Sequence, residues 1–304
     1  MSSHVPVMLD AVLRALAPAR GSRIVDGTLG LGGHAEALLG AIGPEGRLIG
    51  IDRDAEMLAR AEQRLAPFGG AFQGVRARIS YIADVVRGLE CEPVDGILLD
   101  LGICSAQIDD DARGMSFRES AAGAPLDMRM DRGHGATAAE LLQRLGESEL
   151  AERLHAGGVP AANRIARALC ARRPLRTVGE LLEVLRPLRL PRRHHHPATL
   201  VFQALRVAVN EELDELDAAL EAAVEILAPG GRLVVLSYHS GEDQRVKAFF
   251  RREVRGCICP PDMPACGCGR VPRLRSRPAA APLPNEVASN PRARSARLRT
   301  GERL

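Results

Sequence analysis

Apolar residues fall into short continuous runs, separated by stretches in which they recur every three or four positions. That alternation is the mark of buried strands joined by amphipathic helices. The runs predict strands over Arg23 to Asp26, Leu48 to Asp52, Arg78 to Ile82, Val94 to Asp100 and Arg232 to Ser237. Continuous rather than alternating apolarity points to a parallel sheet covered on both faces. Ahead of it, His4-Val5-Pro6-Val7-Met8-Leu9 leads into a short amphipathic helix through Leu16, expected to pack beside the first strand-to-helix turn. The fifth strand starts far beyond the fourth, too far for an ordinary crossover, so a subdomain is expected between them. Its pattern is helical throughout, with segments Ala139 to Leu145, Ser148 to His155, Asn163 to Cys170 and Val178 to Leu185. The simplest division is an all-helical insertion over 110–195 within a discontinuous domain of 1–109 and 196–304. Leu227-Ala228-Pro229-Gly230-Gly231 reads as the close of a long helix before the fifth strand.

The first strand runs into Asp26-Gly27-Thr28-Leu29-Gly30-Leu31-Gly32-Gly33-His34. Glycines without Cβ atoms let backbone approach a ligand, and the N–H groups opening the next helix face the same place. The second strand ends in Asp52, placed to accept ribose hydroxyls. Up to here a dinucleotide and S-adenosylmethionine fit equally well. Asp100, at the end of strand four, favours the second, because it can receive a charged amino-acid end. Ligands of open parallel sheets lie across the carboxyl ends of the strands. That rule gathers Gly32, Gly33, Asp52, Tyr81, Asp100 and Tyr238 along one rim, with the Tyr81 ring expected over an adenine. A nicotinamide-dependent oxidoreductase remains the alternative from another class, and an RNA-binding assembly factor without catalysis is a third.

Composition narrows the setting. With 304 residues, 46% of them hydrophobic, the chain can bury a substantial core. No run suits a membrane span or signal peptide, so a cytoplasmic protein is expected. Seven cysteines, an odd number, argue for reduced thiols over a disulfide framework. The net charge of +3 hides a skew: Lys247 is the only lysine, and nine arginines against Glu286 and Glu302 occupy 270–304. Arginine pairs bidentately with phosphate, so this tail reads either as a solvated basic segment or as a contact for RNA phosphates.

Eight segments together resemble the bacterial 16S rRNA (cytosine-N4)-methyltransferase family: Asp26 to His34, Ile51 to Asp54, Leu98 to Gly102, Pro125 to Asp131, His196 to Thr199, Phe202 to Arg206, Ser237 to Ser240 and Asn290 to Ser295. The resemblance runs from His4 to about Arg299. It implies an α/β, Rossmann-like class I S-adenosylmethionine-dependent methyltransferase sheet with an inserted helical subdomain that serves the RNA. It also implies methylation of the exocyclic N4 of a cytosine in the decoding region, with 16S rRNA of the small ribosomal subunit as partner. Either a monomer or a homodimer is compatible with it. Carried over by position, the cofactor contacts are Gly32, Gly33, His34, Asp52, Tyr81, Asp100 and Gln107. The chain departs from the family at Tyr81, usually Phe, at Gly241, usually Leu, and in lacking an acidic Gly-Glu-Glu before Asn163.

Many amino-methyltransferases place an Asp or Asn and then Pro-Pro-aromatic after strand four; here Asp100 is followed by Leu101-Gly102-Ile103-Cys104-Ser105. The catalytic candidates therefore lie after strand five, with Tyr238 as a stacking platform for a flipped base and His239 near its N4. A purely structural turn over Ser237 to Asp243 is the competing reading. No residues are assigned as metal ligands. Cys257, Cys259, Cys266 and Cys268 could bind zinc, yet one residue between paired cysteines is short of the usual two, leaving surface thiols or a disulfide open as well. Arg192-Arg193-His194-His195-His196 reads as RNA-facing or solvated surface.

Overall fold

The computed structural model describes residues 6–188, 197–260, 263 and 265–304. His4, Val5 and the Arg192 to His196 run lie outside the described residues. The chain forms two compact units, 1–102 with 215–304, and 103–214. The second is thus wider than the 110–195 expected of the insertion.

In the first unit, α1 (Leu9–Leu16) precedes β1 (Arg23–Asp26), α2 (Gly33–Ile42), β2 (Arg47–Asp52), α3 (Ala55–Leu65), β3 (Phe72–Arg76), α4 (Ile82–Gly88) and β4 (Val94–Asp100). The second unit is helical: α5 (Ser105–Asp109), α6 (Ala138–Arg144), α7 (Glu147–Ala156), α8 (Ala162–Ala171), α9 (Val178–Leu185) and α10 (Pro197–Asn210). The chain returns through α11 (Glu212–Ile226) to β5 (Leu227–Ser237), α12 (Ser240–Arg255), β6 (Leu274–Ser276), α13 (Pro284–Ser289) and β7 (Arg297–Arg303). Among the described residues no helix is long and apolar enough to cross a membrane.

The sheet has seven strands in the order β3-β2-β1-β4-β5-β7-β6. β1 to β5 are mutually parallel, and β7 lies antiparallel between β5 and β6. Successive strand residues face opposite sides. Val25, Ile49, Ile97 and Val235 join one buried cluster with residues of α4, α11 and α12. Their neighbours Ile24, Leu48, Leu98 and Val234 join another with α1, α2 and α3. Both faces are covered, which is why the central strands read as unbroken apolar runs.

Three expectations need correcting. The third strand is Phe72–Arg76, and Ile79–Tyr81 forms a single 3₁₀ turn instead. β3 is an edge strand whose residues are at best half-buried, so Phe-Gln-Gly-Val-Arg carries little apolar signal. Pro229-Gly230-Gly231 belongs to β5 rather than to a helix end: pairing jumps from Val94 with Leu227 to Gly96 with Arg232, a bulge that takes up the extra residues. Finally, the basic tail is not a loose segment. Leu298, Thr300 and Gly301 of β7 are buried, and its register with β5 runs from Ser237–Arg297 to Arg232–Glu302.

The helical unit has its own core, formed by Leu142, Leu150, Ile165, Leu169, Val178, Val201 and their neighbours. Thr137 and Thr177 open α6 and α9 as reciprocal caps with Glu140 and Glu180. The Pro125 to Asp131 segment is anchored by buried Asn210, whose Oδ1 accepts the Met130 N–H and whose Nδ2 donates to the Met128 carbonyl, both at 2.8 Å.

Candidate cofactor site

The glycine-rich turn after β1 is laced into the sheet by its backbone. Gly27 N–H donates to the Leu98 carbonyl and Leu29 N–H to that of Ile51, each at 2.9 Å. Gly30 and Gly32 adopt φ of +53° and +75°, the left-handed region in which side chains strain the backbone. At Gly33 the constraint is space, since a Cβ would lie 2.6 Å from Pro6 Cγ. Pro6, just ahead of α1, therefore packs on the turn.

Each neighbouring strand delivers a carboxylate to this turn. Asp52 accepts the N–H groups of Gly30 and Asp54, both at 2.8 Å, so it holds the turn and faces what the turn faces. Asp26 ends β1, is almost fully buried, and accepts the Thr28 N–H at 3.2 Å. Asp100 ends β4, its N–H donating to Thr28 Oγ1 at 2.6 Å. Its carboxylate receives the Tyr238 hydroxyl at 2.7 Å and lies 3.4 Å from Nδ1 of His34. His34 Nε2 is 3.0 Å from the Val7 carbonyl; a carbonyl can only accept, so that nitrogen carries a hydrogen.

Crowding acids away from water makes their charge expensive. Burial lifts the Asp26 carboxyl to about 7, with the charges of Asp100 and Asp52 adding to the rise. Burial likewise lifts Asp52 to about 6, against the two N–H groups that favour its anion. The Tyr238 phenol is pushed upward by burial and by Asp100, so it stays protonated as the donor of that pair. The rim gathers acceptors that suit a ligand rich in positive charge and donors. S-adenosylmethionine offers both, through its ribose hydroxyls, ammonium group and sulfonium, and the residues present fit it.

Of the residues expected here, Gly32, Gly33, His34, Asp52, Asp100 and Tyr238 meet around the ends of β1, β2, β4 and β5. Tyr81 stands on the 3₁₀ turn after β3 with 55% of its surface exposed. Gln107 is buried in the helical unit, where its Oε1 accepts the Cys104 N–H at 3.1 Å and closes the start of α5. His239 is the N-cap of α12: Nδ1 accepts the Glu242 N–H at 3.4 Å, and Nε2 lies 3.1 Å from Glu242 Oε1. Two participants escaped the sequence reading as site residues. Asp26 follows the same rule as Asp52 and Asp100, an acid closing a buried strand, while Thr28 gave no signal of its own.

An open, largely parallel sheet with a glycine turn and acids closing β1, β2 and β4 defines a class I S-adenosylmethionine-dependent methyltransferase. The sequence profile of the MraW methylase family matches residues 1–304, and the chain belongs to that family. It is 46% identical over 307 residues to the ribosomal RNA small subunit methyltransferase H of Rubrobacter xylanophilus, covering 99% of this chain and 96% of that one. To the protein of the same name from Geobacter sp. strain M21 it is 45% identical over 310 residues, covering 99% and 98%. A solved rRNA methylase from Streptococcus thermophilus superimposes with a TM-score of 0.43 at 13% identity, over 97% of this chain and 93% of that one.

Proposed function

We propose that this protein methylates small-subunit ribosomal RNA, and specifically the exocyclic N4 of a cytosine in the decoding region of 16S rRNA. The observation that carries the reading is whole-length similarity, near 45% identity, to enzymes named for methylating small-subunit rRNA. The acceptor-lined rim supports the chemistry. S-adenosylmethionine supplies an electrophilic methyl group there. Asp52 would hold the ribose hydroxyls, and Asp100, kept in place by Tyr238 and His34, the ammonium end. The Gly30 to Gly33 backbone would line the remainder, with Tyr81 as a further contact.

A cytosine amine is planar, its lone pair drawn into the ring, so the enzyme's work is to present that nitrogen and favour a more tetrahedral form. A base flipped out of its RNA context meets this need. Tyr238 is assigned the ring against which the base rests, and His239 the place beside N4. Nδ1 of His239 already accepts the α12 N–H, so its part is positioning rather than proton uptake. The nitrogen becomes acidic once methylated, and water can take its proton. RNA phosphates would be met by the helical unit, on which Arg144, Arg153, Arg172 and Arg176 are exposed.

The deciding experiment supplies labelled S-adenosylmethionine to small subunits lacking the modification and maps the methylated nucleotide by mass spectrometry. Label on a decoding-region cytosine at N4 is expected; label on another base or atom overturns the finer assignment. Two substitutions separate the duties of Tyr238. Tyr238→Ala should cost about 1–3 kcal/mol of base stacking, seen as slower single-turnover transfer. Tyr238→Phe keeps the ring and removes the hydroxyl. Weaker cofactor binding with the RNA step retained would confine the hydroxyl to Asp100, whereas equal loss of RNA turnover in both variants argues against stacking.

A further inference from the structure

Between the end of α12 and the start of β6, four cysteine side chains converge although no element of regular structure holds them. Sγ of Cys266 lies 3.5 Å from that of Cys257, 4.0 Å from Cys259 and 3.5 Å from Cys268, and Cys257 and Cys268 are 3.9 Å apart. All four sulfurs lie within 4.8 Å of one another. A tetrahedral zinc site with bonds of about 2.3 Å has sulfur–sulfur edges of about 3.8 Å. The observed edges straddle that value, and every one is far beyond the roughly 2.05 Å of a disulfide.

Backbone N–H groups also face the cluster. The N–H of Cys259 points at Sγ of Cys257, and those of Ile258 and Arg270 point at Sγ of Cys268. Among the described residues of the segment, the large apolar side chains Ile258, Met263 and Val271 are 54%, 47% and 69% exposed. Its ends are nonetheless fixed. Gly256 turns out of α12 at φ +71°, where a Cβ would meet the backbone of Pro272 at 2.4 Å. On the far side Arg270 and Arg273 both pair with buried Glu253 of α12. A loop pinned at both ends, with these apolar side chains turned outward, is the setting in which a metal stands in for a core.

We propose that Cys257, Cys259, Cys266 and Cys268 form a closed tetrathiolate site that binds one zinc ion. Four sulfur ligands leave no coordination position open, so the metal clamps the α12–β6 connection and takes no part in methyl transfer. The single residue between paired cysteines does not hinder this, because the tetrahedron closes across the loop.

The test measures metal in the full-length protein, purified under reducing conditions without chelator, by mass spectrometry of the elements. One zinc per chain is expected, released when the thiols are titrated with a mercurial. Reconstitution of the stripped protein with cobalt alone should give the intense visible absorption of a tetrahedral thiolate complex. Cys266→Ser with Cys268→Ser should reduce bound zinc at least tenfold, while Cys170→Ser leaves it unchanged. Should the double variant fail to fold, the zinc content and cobalt spectrum of the unaltered protein still decide. Substoichiometric metal, with all four thiols alkylated in the native protein, would overturn the site. Stoichiometric iron in place of zinc would overturn the identity of the ion.

Discussion

Two groups of acids in the same sheet unit behave in opposite ways. At the carboxyl ends of β1 and β2, burial drives the carboxyls of Asp26 and Asp52 up to about 7 and about 6, outweighing His34 at the first and two backbone N–H groups at the second. On α12, Glu253 is 1% exposed yet held below the ordinary carboxylate range by Arg273 and Arg252, against the opposing effect of burial. Asp243 is also lowered, chiefly by the guanidinium of Arg299, which grips it at 2.8 and 3.0 Å. The acids of α12 are paired with resident guanidinium groups, the setting of a structural ion pair, whereas raised carboxyls gathered at strand ends are the pattern of a candidate ligand site. Burial alone does not distinguish the two kinds.

The comparison can be broken most severely on the structural side. Deleting residues 291–304 removes β7 from between β5 and β6, and should abolish cooperative unfolding in calorimetry. If a folded protein with weaker RNA binding results instead, the tail is a recognition element rather than a strand. Next in size, Glu253→Gln strips a buried partner from three arginines and should destabilise the fold by about 3–5 kcal/mol, without altering cofactor affinity in the surviving folded fraction. The wild-type contribution of Glu253 is present above the unfolded glutamate pKa, near 4.3, and is lost as pH falls through its lower folded value.

On the ligand side the expected signature reverses. Asp52→Ala should weaken S-adenosylmethionine binding by about 1.5–3 kcal/mol. Unchanged affinity in titration calorimetry would remove Asp52 from the site. The most telling effect belongs to Asp26→Asn. A carboxyl raised from about 3.9 to about 7 weakens the folded state progressively as pH climbs between those values. The variant should thus match wild type near pH 4, melt higher at pH 8, and bind the cationic cofactor more weakly there. A gain in melting temperature independent of pH would contradict the assigned charge.

Much of this was legible in the residues, for physical reasons that also mark the limits. β1, β2 and β4 stand inside the sheet, so their apolar runs are unbroken and their closing acids stand out. β3 is an edge strand without such a run, and the sequence reading shifted it onto Arg78 to Ile82. In β7, Arg297-Leu298-Arg299-Thr300 alternates with the period of a strand, but its guanidinium groups overshadowed that pattern. Tyr238 was expected as an open aromatic surface; its bond to Asp100 joins residues 138 positions apart, a pairing that no local pattern encodes. His239 showed its capping character only through Glu242 three residues on.

The helical unit lies in sequence between two adjacent parallel strands, and this bears on how the chain folds. β4 and β5 pair only after the whole of 103–214 has been spanned. Closing a loop costs more the longer its flexible part, by about 0.6 kcal/mol per doubling. The contacts within 103–214 are comparatively local and can form early, and each helix that forms shortens the flexible chain remaining between Asp100 and Leu227. An insertion that looks like an obstacle to the sheet would then act as its tether, and loosening the Asn210 anchor should slow the arrival of β5 more than it unsettles the finished sheet.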